Sequence, residues 1–233
     1  MLITGVTKPL NLGHSILLFL LPGLYGVIAF YVFMPFLIRL GLSAEIAYGT
    51  QMLSVFLLLI IAAVIGLKRD GWPLTWATAR DRLRIKSMDS TAWKWTLLFL
   101  FFNLLLGYLL NLLGLFVFEK LNFLPPDADI PLTNIPFLVL VLFFNIIAEE
   151  VWWRGYILPR QELTHGKYAF LVNGVLWSLF HMFKWWAVPL MLFRNWMEPF
   201  VVQRTKNTTP AIIMHSISNG ISVLFSIIAL LSH

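Results

Sequence analysis

The sequence predicts an all-α protein, a polytopic transmembrane bundle of about seven helices, with six to eight as the range. Of its 233 residues, 59% are apolar and only 12% are charged, whereas a soluble domain carries roughly 25% charged residues. The mean hydropathy of +0.82 agrees with this composition. Together these values favour an integral membrane protein over a soluble globular domain.

The length of the apolar runs defines the predicted helices, because a helix needs about 20 apolar residues to cross a bilayer. Runs of this kind lie near residues 15–38, 44–67, 93–118, 135–157, 168–186 and 208–230. The stretch 187–203 is a less regular candidate. Two prolines and two charged residues interrupt it: Pro189, Arg194, Glu198 and Pro199. We expect one membrane domain over residues 1–233.

Residues before and within the first run do not resemble a cleaved signal peptide. Lys8 is the one basic residue before the run, and no small-residue cleavage site follows it. We therefore expect the first helix to stay as a membrane anchor. The chain has no cysteine, which excludes disulfides, thiolate nucleophiles and cysteine metal ligands.

Basic residues are concentrated in one connection between predicted helices. Those between the second and third runs are Lys68, Arg69, Arg80, Arg82, Arg84, Lys86 and Lys94. The positive-inside rule places this connection in the cytoplasm, together with the N-terminus. The loop with Glu119, Asp127 and Asp129 is expected outside, as is the C-terminus. Topology thus accounts for the net charge of +6, and no nucleic-acid partner is expected.

Charged groups inside one apolar run give the first functional signal. Residues 143–157 read FFNIIAEEVWWRGYI. A charge at the bilayer centre costs about 2.5–3.5 kcal/mol on insertion scales, so a functional role is the default. Glu150 and Arg154 have the i,i+4 spacing of an ion pair, and Glu149 points about 100° away. We interpret the pair as a brace and Glu149 as the reactive carboxylate. The alternative is that both acids only join helices.

The depth of these groups can be estimated from the predicted helices. Glu149 lies ~21 Å past Ile135, which leaves it ~10 Å below the cytoplasmic surface, and His215 is at a similar depth. His181 does not fit, because counting from Tyr168 places it ~20 Å deep. We expect the fifth helix to begin later than drawn or to be strongly tilted.

Two later segments supply further polar side chains. His215 and Asn219 are four residues apart, so they share a helix face and could donate hydrogen bonds to a developing oxyanion. His181 follows Trp177 by four residues, so the indole can pack on the imidazole. Beside Glu149, His181 is a candidate to hold an attacking water. For each of these side chains the alternative is a structural contact between helices, which is common in membrane bundles.

Three motifs now stand in order on successive apolar helices: EEVWWRG at 149–155, WSLFH at 177–181 and HSISN at 215–219. They resemble the pattern of the CPBP family, which comprises the type II CAAX prenyl endopeptidases and the bacterial Abi proteins. The resemblance covers about residues 143–221. It implies an intramembrane glutamic endopeptidase whose catalytic residues are Glu149, His181, His215 and Asn219. In that family pattern the glutamate activates water, the first histidine places it, and the last two residues form the oxyanion hole.

The resemblance also implies a division of the chain and a class of substrate. Residues 135–230 would form the catalytic core, and residues 1–134 the variable N-terminal helices with the basic cytoplasmic loop. Glu150, Arg154 and Trp177 would support the site. The expected substrate is a membrane-tethered peptide or lipidated protein, prenylated at a CAAX sequence or a bacterial peptide. The site would open toward the cytoplasmic side of a bacterial inner membrane, in contact with lipid. Trp177 stands where Phe is usual, and residues 194–199 are more polar than the family's glycine-rich helix.

Other functions stay open at this point. Glu149, His181 and His215 could form a three-ligand zinc site with an open position, although the HExxH pattern of zinc peptidases is missing. We favour the reaction without a metal or other cofactor. The chain could also be a non-catalytic membrane scaffold or immunity protein, or a proton-coupled transporter that uses the same side chains as a relay.

Overall fold

The computed structural model describes residues 5–126, 130 and 133–231, without the side chains of residue 222 and of residues 225–231. Helices make up the regular structure of this part of the chain, and no strand occurs in it. The α-helices are α1 (Leu12–Ile28), α2 (Met34–Arg39), α3 (Ala44–Arg69), α4 (Trp76–Arg82), α5 (Ser90–Lys120), α6 (Ile135–Glu149), α7 (Leu158–His165), α8 (Ala169–Phe180), α9 (Val188–Arg194), α10 (Met197–Thr205) and α11 (Thr209–Leu231).

Two π-helical segments join α-helices into longer rods. Ala29–Phe33 connects α1 to α2, and Glu150–Ile157 connects α6 to α7. Short 3₁₀ turns, Gly166–Tyr168 and His181–Lys184, lie before and after α8. The predicted all-α helix bundle is therefore confirmed.

Four helical stretches among the described residues are long and apolar enough to cross a membrane: Leu12–Arg39, Ala44–Arg69, Ser90–Lys120 and Ile135–Lys184. They coincide with the first five predicted runs, because the last stretch folds back at Gly166 and includes two of them. The protein is an integral membrane protein. The sixth run corresponds to α11.

Five of the helices begin at a polar side chain that accepts a hydrogen bond from the backbone of the first turn, as N-caps do. These capping residues are Asn11, Ser43, Thr75, Asp89 and Asn134. The stretch 187–203 forms two short helices, α9 and α10, and Asn195 ends the first of them. The polar and proline residues that made this stretch irregular thus coincide with a real break.

We call the rod formed by α6, Glu150–Ile157 and α7 the motif helix. The basic connection is folded against it, and we call this part of the bundle the basic end. Arg84 forms a two-pronged salt bridge with Glu162 (2.9 and 3.0 Å), and Lys206 Nζ donates to the same carboxylate at 2.6 Å. Arg82 is buried, and its Nη1 donates to the carbonyl oxygen of Gly155 at 3.3 Å. Burial lowers the pKa of Arg82 to about 10. These arginines therefore hold tertiary structure in addition to any topogenic role.

Hydrogen bonds place the N-terminal residues at the basic end and the segment before α6 at the opposite end of the bundle. Leu10 N–H donates to the carbonyl oxygen of Arg160 at the basic end. At the opposite end, Glu45 accepts from the backbone N–H of Asn134 at 2.6 Å and from Thr133 Oγ1 at 3.0 Å. The described N-terminal residues thus share an end with the basic connection, as the charge pattern predicts. Which end faces the cytoplasm stays a prediction, and Asp127 and Asp129 lie outside the described residues.

Candidate active site

Glu149 is buried at the end of α6 and is held by two hydrogen-bond donors. Asn145 Nδ2 donates to Oε1 at 2.8 Å, and Trp177 Nε1 donates to Oε2 at 2.6 Å. Asn145 lies one turn earlier on the same helix, whereas Trp177 comes from α8. Each carboxylate oxygen therefore has a neutral donor, and the orientation of the group is fixed without a contact ion pair.

His181 lies at the C-terminal end of α8, where the helix changes to a 3₁₀ turn. Its Nδ1 lies 2.9 Å from the carbonyl oxygen of Trp177. Because a carbonyl oxygen only accepts, Nδ1 carries a proton, and the neutral ring has its lone pair on Nε2. That Nε2 is 4.0 Å from Glu149 Oε1. The predicted packing of Trp177 on His181 is present, with ring centroids 5.6 Å apart in an edge-on arrangement.

The helix lengths explain why the depth of His181 did not fit. The motif helix continues through the π-helical segment and α7 to His165, so the predicted end of the fourth run at residue 157 is too early. Pro159 does not stop it, because proline is tolerated in the first turn of α7. Glu149 then lies ~24 Å from the end of its rod and His181 ~18 Å from the start of α8 at a rise of ~1.5 Å per residue.

Glu150 and Arg154 form the brace that their spacing predicts. Arg154 Nη1 is 3.4 Å from Glu150 Oε1, and both side chains are fully buried. Arg154 Nη2 also donates to Glu198 Oε2 of α10 at 3.1 Å, and the guanidinium carbon lies 3.7 Å from the centre of the Trp177 ring. The brace thus connects the motif helix to α8 and α10. A buried charge network of this kind is strongly destabilised when one partner is removed.

His215 of α11 contacts the brace through one ring nitrogen. Its Nδ1 is 2.8 Å from Glu150 Oε1, and because a carboxylate accepts, Nδ1 is the donor. Nε2 is then left for a second contact. It can donate a hydrogen bond only when the ring is an imidazolium.

Asn219 lies one turn after His215 and contacts the motif helix as well. Asn219 Nδ2 donates to Asn145 Oδ1 at 3.0 Å. Since Asn145 Nδ2 in turn donates to Glu149, three side chains form one chain of hydrogen bonds. The bond uses one of the two Asn219 amide protons and leaves the other available.

All four predicted catalytic side chains line a single cavity of about 100 Å³. That volume is well above the roughly 10–15 Å³ that one water molecule requires. A second cavity of about 340 Å³ also includes Asn145, Glu149, His181 and Asn219 in its lining. Its other walls are mostly apolar side chains of α3 and α6, among them Met52, Phe56 and Leu138. A polar centre therefore adjoins a space suited to apolar groups.

Three contributions to this site were not predicted from the sequence. Asn145 bridges Glu149 and Asn219, Glu198 completes the brace, and the Trp177 indole is a hydrogen-bond donor as well as a packing group. For Asn145 a signal existed, because it precedes Glu149 by four residues in an apolar run. For Glu198 there was none, because its partner is 44 residues away in the sequence.

The residues that lie close enough together to bind a metal ion are not the three that the zinc hypothesis names. Within the described residues, the group compact enough for a metal ion is Glu150, Glu198 and His215, whose ligand atoms lie within 4.8 Å of one another. That group does not contain Glu149 or His181. The Arg154 guanidinium contacts both carboxylates of the group.

Fold and site together define a class: a multi-pass helical membrane protein with a buried glutamate, two histidines and an asparagine around one cavity. Residues 131–221 match the family model described as type II CAAX prenyl endopeptidase Rce1-like. The UPF0177 protein YxdF of Lactococcus lactis subsp. lactis is 26% identical over 152 residues, which are 63% of this chain and 84% of that protein. No solved structure matches the chain. These matches confirm the resemblance to the CPBP family, and at the level of the family they support a CAAX-type intramembrane endopeptidase.

Proposed function

We propose that this protein is an intramembrane endopeptidase that uses Glu149 as general base on a membrane-tethered peptide substrate. The observation that carries the proposal is the 4.0 Å separation of Glu149 Oε1 and His181 Nε2 beside the cavity. This distance is too long for a direct hydrogen bond and suits a water molecule that contacts both atoms.

In the proposed reaction Glu149 is ionised, His181 is neutral and His215 is an imidazolium. The water donates one proton to Glu149 and is oriented by the lone pair of His181 Nε2. Its oxygen attacks the carbonyl carbon of the substrate, and the carbonyl oxygen becomes an oxyanion. The free amide proton of Asn219 and the Nε2 proton of a cationic His215 stabilise that charge. Glu149 then gives its proton to the leaving nitrogen as the C–N bond breaks.

We propose that the reaction proceeds without a metal ion. The positive charge that stabilises the site comes from Arg154 and from His215, both in contact with Glu150. His181 also donates its Nδ1 proton to a carbonyl oxygen, which leaves Nε2 free to orient water. The proposed substrate is a peptide or lipidated protein whose apolar part occupies the adjoining cavity of about 340 Å³.

The test is cleavage of a library of membrane-tethered peptides by purified protein, with and without a strong zinc chelator. Glu149→Gln should abolish cleavage, because the amide cannot accept a proton, and should leave the fold intact. Glu162→Gln is the matched control, since that carboxylate lies at the basic end. Cleavage by Glu149→Gln would refute the assignment of the base. Loss of wild-type activity with chelator would refute the metal-free mechanism, and a Glu149→Ala strain with normal function would indicate a scaffold.

A further inference from the structure

Arg194 lies in the wall of the cavity that Glu149 also lines. It is the last residue of α9, and its side chain is half-buried. Among the residues that the structure describes, no carboxylate lies within ion-pair distance of its guanidinium and none of its nitrogens has a hydrogen-bond partner. Glu198 follows by four residues, but the break between α9 and α10 directs its carboxylate to Arg154 Nη2 at 3.1 Å.

The position of the guanidinium is made possible by a glycine on a neighbouring helix. A Cβ atom at Gly107 of α5 would lie 2.6 Å from Arg194 Nη1 and 3.7 Å from its Cδ. The guanidinium therefore lies directly against the α5 backbone, where a larger residue would displace it.

The depth of Arg194 is close to that of the proposed base. Gly107 lies ~26 Å along α5 from its start at the basic end, and Glu149 lies ~24 Å along its rod from the same end. Each of these helices is ~45 Å long at a rise of ~1.5 Å per residue, so both residues lie near the middle of their helices. A ~30 Å hydrocarbon core centred on the helices places both more than 10 Å from either surface. Lipid phosphates do not reach that depth, so an anion that pairs with Arg194 would have to enter the site with the substrate.

An arginine at this depth is costly and is expected to pair with another charge. Its planar fork of donors matches a carboxylate better than any other biological anion except phosphate. The cavity holds Arg194 and the proposed base together, and one residue of extended peptide spans ~3.3 Å. A carboxylate within a few residues of the cleaved bond could therefore reach the guanidinium.

We propose that Arg194 binds a carboxylate of the substrate and so selects peptides with an anionic group close to the cleaved bond. This inference rests on the proposed endopeptidase function and deepens it by naming the substrate class. The carboxylate is the free C-terminus of the peptide or the side chain of an Asp or Glu. Arg194 is thus a specificity-determining residue, distinct from the groups that act on the water.

The experiment compares membrane-tethered peptides that differ only in charge: a free C-terminal acid, its C-terminal amide, and the amide with an Asn replaced by Asp. Wild-type protein should cleave the preferred acid with a kcat/KM at least tenfold above that of the neutral peptide. Preference for the first or the third peptide tells the C-terminus from a side chain. Arg194→Gln should lose this preference, so that acid and neutral peptides are cleaved with similar kcat/KM, and Arg194→Lys should restore part of it.

Two further variants separate recognition from folding. Gly107→Ala should reduce the same preference, because the added methyl group displaces the guanidinium, whereas Gly220→Ala should not, since a Cβ there meets nothing within 4 Å. Arg204→Gln, which removes an exposed arginine of α10, is the charge-matched control. Equal cleavage of acid and neutral peptides by wild type, or an equal loss on both in Arg194→Gln, would overturn the inference.

If no peptide is cleaved, the endopeptidase proposal fails and equilibrium binding of the same fluorescent peptides decides the role of Arg194. Tighter binding of an acid than of the neutral peptide, abolished in Arg194→Gln, would support carboxylate recognition. Equal binding would refute it.

Discussion

Asn145 gives the sharpest prediction, because it contacts the proposed base and an oxyanion donor at once. Asn145→Ala removes the hydrogen bond to Glu149 Oε1 (2.8 Å) and frees Asn219 Nδ2 from its acceptor (3.0 Å). Glu149 would then be free to rotate away from the proposed attacking water. Asn219 would be free to turn away from the carbonyl oxygen of the substrate. We expect kcat to fall and KM to change little, since neither contact recognises the distant parts of a substrate.

The expected fall in kcat/KM follows from the lost hydrogen bond between Asn145 and Glu149. A hydrogen bond to a charged group contributes about 1.5–3 kcal/mol, and each 1.36 kcal/mol in the barrier is a factor of ten in rate. If the hydrogen bond acts fully in the transition state, kcat/KM should therefore fall by about 10- to 150-fold. Asn145→Asp should lose more, because a second carboxylate beside Glu149 adds like-charge repulsion.

The assay is steady-state cleavage by purified protein in lipid nanodiscs, with thermal unfolding measured on the same samples. Asn173→Ala is the matched control. Asn173 is also a buried amide with two hydrogen bonds, to the carbonyl oxygen of Trp153 and to Gln161 Oε1, and it does not line the cavity. Its loss should lower stability and spare kcat of the folded protein. An Asn145→Ala variant with wild-type kcat, or one whose activity falls only in step with its stability, would refute the positioning role.

Three other substitutions have outcomes that the contacts predict. Trp177→Phe should keep a ring against Arg154 but lose the indole donor to Glu149, so kcat/KM should fall about tenfold with little change in unfolding temperature. Arg154→Met should leave its two carboxylate partners buried without their cation, at about 3–5 kcal/mol of stability, visible as a lowered unfolding temperature in detergent. Gly174→Ala should cost about 1–3 kcal/mol through overpacking, because its Cβ would lie 2.6 Å from a backbone atom of the α9–α10 connection, whereas Gly220→Ala should be neutral.

Local spacing was sufficient for the parts of the fold and site that lie within one helix. The apolar runs located the long helices, and the four-residue interval of Glu150 and Arg154 gave the brace. Trp177 and His181 also pack as their interval predicts. In each case the geometry of one helix decides the contact, so the sequence contains the information.

Contacts between distant segments were not available from the same reasoning. The bond from Arg154 to Glu198 depends on where the chain breaks between α9 and α10. Likewise, Arg82 and Arg84 looked like charges that only set topology, yet they contact the motif helix 73 and 78 residues away. A count of charges in a loop cannot say which of them the tertiary structure uses.

The π-helical segment Glu150–Ile157 is a place where the rod holds more residues than an α-helix of the same length would. A π-turn accommodates one more residue than an α-turn, so this helix behaves as an α-helix with an insertion just after Glu149. The wider turns absorb that residue, so α7 keeps its orientation and Arg160 contacts Asp70 at 2.8 Å. An insertion or deletion in α6 or α7 would not be absorbed and would rotate everything after it by about 100°. In evolution, a change in length is therefore expected in this segment before the α-helices on either side of it, because the segment can change length and still connect the active centre to the basic end.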